Sequence, residues 1–148
     1  MPDRDLPGPA ALGDIMAFFI GIALALAVLL FGRLSGFDRD RAFYSTVTVV
    51  VAHYYVLFAV MGGEGLLPEI AVMALFVAAA VAGFKTSLWL VAAALAGHGA
   101  FDFVHAQLII NPGVPVYWPS FCAGFDVMAG ACVAWLLLRP DANLRAAV

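Results

Sequence analysis

Five apolar stretches, each about 20 residues long and nearly free of charge, constrain this chain more than any other feature. They run from about Ile15 to Gly32, Phe43 to Met61, Leu67 to Phe84, Ser87 to Ile110 and Tyr117 to Leu138. A helix rises 1.5 Å per residue, so roughly 20 residues cross the ~30 Å hydrocarbon core of a bilayer. Barrel strands would instead alternate with a period of two. The chain has 148 residues, of which 65% are hydrophobic and 11% charged. A soluble domain averages about 25% charged residues, so this inventory makes no ordinary water-facing surface. The expected fold class is all-α: a single integral membrane bundle of five transmembrane helices, multi-pass in a bacterial-type plasma membrane. No basic run is long enough to suggest nucleic acid, and the lipid bilayer is the expected partner. Nothing in the sequence specifies an oligomer.

The connections are short. Residues 1–13 read as a Pro- and Gly-rich tail, and Asp14 as the N-cap of the first helix. Asp3, Arg4 and Asp5 do not make the positive n-region of a signal peptide. Gly62-Gly63-Glu64-Gly65 reads as a turn, and Asn111-Pro112-Gly113-Val114-Pro115 as a helix break. Five crossings put Arg33, Arg39, Arg41, Lys85, Arg139 and Arg145 on one side and only Arg4 on the other. By the positive-inside rule the N-terminus is then outside and the C-terminus cytoplasmic. Gly21 and Ala25 form a small-xxx-small pair suited to close helix approach. Cys122 and Cys132 are ten residues apart. That is about 15 Å along one helix, too far for a disulfide between them.

The fourth stretch carries His98, Asp102 and His105 at i, i+4 and i+7, on one face of a continuous helix. Measured from the outer ends at 1.5 Å per residue, His105 lies roughly 7 Å deep, Asp102 and His53 roughly 12 Å, Asp126 roughly 14 Å and His98 roughly 18 Å. Ionisable groups are costly inside a bilayer and usually face a partner or a cavity. Five at matched depth predict that helices two, four and five converge on a pocket open to the outside, with helices one and three as lipid-side support. Tyr54 would at most rim this pocket, and Tyr55 would point away from His53. Glu64 and Glu69 are expected in solvent, Asn111 at a helix end, and Cys122 as a small apolar filler.

Three readings of the pocket stand side by side. It binds a divalent transition metal (zinc, iron or copper), with His53, His98, His105, Asp102 and Asp126 as candidate ligands. Asp126 would then be a fourth ligand or general base, and Asp102 would orient or ligate, so that both are candidate catalytic residues of a metal-dependent hydrolase or redox enzyme. An amphipathic or lipid-like substrate entering from the outer leaflet would suit that depth. In the second reading the groups relay protons or line an ion or small-solute path. In the third they are structural, joining helices by Asp–His hydrogen bonds.

The run His98-Gly99-x-x-Asp102-x-x-His105, followed by Asn111-Pro112-Gly113-Val114-Pro115-x-x-Trp118-Pro119-x-Phe121-Cys122-x-x-x-Asp126, resembles the signature of a small uncharacterised family of multi-pass membrane proteins. The resemblance covers mainly the last two stretches and implies a compact helical membrane protein, with no activity attached. A looser likeness is to alkaline ceramidases and adiponectin-receptor-type proteins, which hold zinc on intramembrane histidines. Those have seven spans and a paired H-x-x-x-H that this chain lacks, so neither their ligands nor their substrate transfers.

Overall fold

A computed structural model describes residues 9–139 of the chain. Arg4, Arg145 and the rest of segments 1–8 and 140–148 lie outside the described residues. The elements are α1 (Pro9–Ser35), a 3-10 turn (Phe37–Arg39), α2 (Ala42–Gly62), α3 (Leu66–Lys85), α4 (Leu88–Asp102), a one-turn α5 (His105–Leu108) and α6 (Trp118–Leu138). No strand occurs among the described residues. Helices α1, α2, α3 and α6 are long and apolar enough to cross a membrane.

Two boundaries differ from expectation. Helix α1 already begins at Pro9, so Asp14 lies inside the helix and does not cap it. Proline suits a first helical turn, where its missing N–H has no intrahelical partner to lose. The fourth apolar stretch is not one helix. Helix α4 has 15 residues and stops at Asp102. The chain then tightens, with Val104 N–H donating to Phe101 O and Gln107 N–H to Val104 O, the i→i+3 pattern of a 3-10 turn.

Helix α6 is the central element. Over its most apolar window it is 56% buried, against 17% for α3. Glycine sets its two closest contacts. A Cβ on Gly21 of α1 would collide with the Phe121 carbonyl oxygen, and one on Gly124 with that of Phe18. Ala25, four residues after Gly21, is fully buried, so the small-xxx-small pair does bring α1 against α6. On the other side of α6, a Cβ on Gly99 would lie 3.1 Å from Val127 N, and one on Gly130 2.9 Å from Ala92 O. As the α4 position rises from 92 to 99 its α6 neighbour falls from 130 to 127, so these helices run antiparallel.

Around these contacts Leu29, Tyr44, Val51, Val91, Leu95 and Val133 join the apolar core. The exterior is apolar as well, with Met16, Phe19, Leu30, Leu67, Leu75 and Leu138 all more than half exposed. Apolar surface of this extent calls for a covering other than water. The charged connections meet at one end of the bundle. Arg33 pairs with Asp38 at 2.9 Å, and Arg39, Arg41 and Lys85 border a common cavity.

Candidate metal centre

The α4–α6 contact brings together two helical i, i+4 pairs: His98 with Asp102, and Cys122 with Asp126. On each helix this spacing stacks both side chains on one face, and the small residues between the helices let the faces meet. One ligand atom from each of the four residues can be chosen so that all lie within 4.8 Å of one another. Exposure is 1% for His98, 2% for Asp102 and Cys122, and 0% for Asp126.

The hydrogen bonds run across the helix contact. His98 Nδ1–H donates to Asp126 Oδ2 at 2.8 Å. The Cys122 thiol donates to the same oxygen at 3.4 Å. Asp102 Oδ2 lies 3.7 Å from His98 Nδ1, beyond hydrogen-bond distance. Its other oxygen accepts from the Tyr55 hydroxyl at 2.7 Å. Among the described residues, Asp102 Oδ2 and Asp126 Oδ1 are therefore buried carboxylate oxygens with no hydrogen-bond partner. The pocket expected to open outward is instead closed to solvent, with two carboxylates beside one imidazole that bonds only Asp126, and buried charge is tolerated only when it is paired or coordinates a metal.

A second polar group lies beside the first. His105 Nε2–H donates to Glu69 Oε1 at 2.7 Å. Asn111 Nδ2 donates to the same oxygen at 2.8 Å and to the Tyr55 carbonyl at 3.0 Å. The Tyr55 ring stacks on His105 with centroids 4.0 Å apart. Tyr55 thus touches both groups, with its hydroxyl in one and its ring and carbonyl in the other.

The structure brings His98, Asp102 and Asp126 together as expected and separates the other two histidines from them. His53 is exposed, and its Nδ1–H donates to the Val49 carbonyl of its own helix at 2.6 Å. The inward face of α2 is instead Tyr44, Thr48, Val51, Tyr55 and Phe58, and Tyr55 is roughly 200° round the helix from His53. Tyr55, not Tyr54, is therefore the α2 contribution. His105 departs because the turn after Asp102 splits the expected face and sends the imidazole to Glu69. Glu69 is not solvated but 1% exposed, so α3 supplies a buried carboxylate as well as support. Asn111 closes that second group, and Cys122 joins the first. The sequence places Glu69 in solvent and turns Tyr55 away from the pocket, and the packing of α2 and α3 buries both instead.

Among the described residues the protein is all-α, with four helices of membrane-spanning length and a buried His/Asp/Cys group that could hold a metal ion. Comparisons with family models, curated proteins and solved structures find no match for this chain.

Proposed function

We propose that the chain is a multi-pass membrane protein whose α4–α6 contact binds a divalent transition metal through His98, Asp102, Cys122 and Asp126. The observation that carries the reading is the convergence of four buried ligand-bearing residues, His98, Asp102, Cys122 and Asp126, each with one ligand atom within 4.8 Å of the others. A neutral imidazole, two carboxylates and a thiolate, formed when the Cys122 proton is released on binding, suit zinc first, with iron and copper as the other candidates. A dication offsets most of the negative charge of the two carboxylates and the thiolate and lowers the cost of burying them. Tyr55, bonded to Asp102, is the partner that orients a ligand from behind.

In the bilayer α4, the tight turn and α5 together make the fifth crossing, since α4 alone rises only about 22 Å. Arg39, Arg41 and Lys85 at one end of the bundle support a cytoplasmic placement of that end. Cys122 also lines an apolar cleft between α1, α2 and α6, the route by which a lipid-like substrate would reach the metal. A hydrolytic or redox centre would use Asp102 or Asp126 as the group that takes a proton. A proton pathway is less well supported, because the link between His105 and Tyr55 is ring stacking and carries no proton. The Glu69–His105–Asn111 group fits a structural role instead, tying α3 to the segment after α4.

Metal content after mild detergent purification tests the proposal. The full chain should hold about one ion per molecule, the folded Cys122→Ser variant much less, and His53→Ala the same as wild type. A wild type that is metal-free, folded and takes up no added zinc, iron or copper would overturn it.

A further inference from the structure

Two cavities meet at the charged end of the bundle. The first is the apolar cleft, about 680 Å³, running between α1, α2 and α6 past Leu24, Val28, Val47, Val50 and Phe125. This size falls within the ~300–1,000 Å³ of small-molecule sites. The second, about 760 Å³, is bordered by Arg39, Arg41, Lys85 and Thr86. Gly36 and Asp40 belong to the walls of both, so the two spaces adjoin. Asp40, whose Oδ1 accepts from the Ala42 N–H at 2.8 Å, offsets one of the three positive charges and leaves the pocket cationic. Arg39 and Lys85 are exposed. The cleft extends along α2 from Ala42 to Tyr54, roughly 18 Å at 1.5 Å per residue. That is close to one leaflet's share of a hydrocarbon core roughly 30 Å thick.

We infer that the two cavities form one site for an anionic phospholipid, with its phosphate among Arg39, Arg41 and Lys85 and one acyl chain along the cleft between α1, α2 and α6. Charge selects the head, since clustered Lys and Arg beside a membrane favour anionic lipids. The apolar lining takes the chain, and the shared wall at Gly36 and Asp40 fixes head and chain in one molecule. The site stands whether or not the α4–α6 group holds metal.

Native mass spectrometry of the full chain tests the inference, after release from bilayers containing equal phosphatidylglycerol and phosphatidylcholine. Wild type should retain phosphatidylglycerol over phosphatidylcholine by on the order of tenfold. Arg39→Gln/Lys85→Gln, at two exposed positions, should reduce that preference to about twofold or less at unchanged thermal stability. Val50→Trp, at a half-exposed position of the cleft wall, should lower retention of both lipids at least severalfold. Excess inorganic phosphate should leave the bound lipid in place. Equal retention of the two lipids by wild type, a preference that survives the double variant, retention untouched by Val50→Trp, or displacement by phosphate alone would each overturn the inference. Metal content measured on the same samples reports separately on the metal centre.

Discussion

His98 Nδ1 lies 2.8 Å from Asp126 Oδ2 across the α4–α6 contact, and neither side chain meets solvent. Breaking a buried pair from one side leaves the other partner polar and unmatched. Asp126→Ala should therefore destabilise the fold by about 3–5 kcal/mol and abolish metal retention. Asp126→Asn keeps the shape and an acceptor oxygen, so it should cost less stability while still removing the metal. Denaturant unfolding in mild detergent and metal analysis read the two effects separately.

Tyr55→Phe removes only the hydroxyl that donates to Asp102 Oδ1 at 2.7 Å. The carboxylate is then left with neither oxygen hydrogen-bonded, at a cost of about 1–3 kcal/mol. If Asp102 is a ligand, loss of the group that orients it should weaken metal affinity by roughly 10–100-fold. Competition against a chelator of known affinity measures the change. An unchanged affinity with lowered stability would make Tyr55 purely structural.

These effects separate what the chain makes plain in sequence from what it does not. Hydropathy located the membrane-length helices to within a few residues, except at the N-terminus of α1, because burial of apolar side chains dominates at every turn of a bundle. The same holds for Gly21 and Ala25, whose small size has one geometric use. His98, Asp102 and Asp126 were recognisable because charged groups stand out in an apolar helix. His53 stands out equally, yet faces outward, because the inward face of α2 is set by tight packing of Tyr44, Thr48, Val51 and Tyr55 and not by polarity. His105 leaves the expected face for another reason. The turn after Asp102 contains neither proline nor glycine, so no local signal marks it, and its geometry goes with contacts to Tyr55 and Glu69 that lie 50 and 36 positions away from His105.

The contacts of the two remaining histidines should differ in what their loss costs. His53→Ala deletes an exposed side chain bonded only to its own helix, and stability should stay within about 0.5 kcal/mol of wild type. Glu69→Ala leaves His105 Nε2–H and one Asn111 donor without their buried acceptor, and should cost at least about 2 kcal/mol. Neither should change metal content. Thermal unfolding paired with metal analysis checks both, and metal loss in Glu69→Ala would join the two polar groups into one site.

Gly124 tests the α1 contact on its own. A Cβ there would strike the Phe18 carbonyl oxygen, which is backbone and has no rotamer by which to retreat. Gly124→Ala should lower stability by about 1–3 kcal/mol, the usual range for overpacking. Gly97→Ala, whose added Cβ would meet only Phe76 Cε1 at 3.8 Å, should be neutral or slightly stabilising, since alanine favours a helix over glycine by about 1 kcal/mol. The two unfolding curves, measured side by side, distinguish a contact imposed by α1–α6 packing from a general intolerance of larger side chains.

Metal binding should also appear as stability. An ion that binds the folded chain alone stabilises it by about 2.7 kcal/mol at a free concentration 100 times its dissociation constant. Unfolding midpoints of chelator-treated protein should therefore rise with added zinc and level off only logarithmically. Cys122→Ser replaces a soft donor by a hard one, so the same rise should require a higher zinc concentration. In Asp102→Asn/Asp126→Asn the curve should be flat, because both carboxylates with unpartnered oxygens have gone. If that double variant still gains stability from zinc to the same extent as wild type, the ion is binding elsewhere, and the buried group is held together by its cross-helix hydrogen bonds alone.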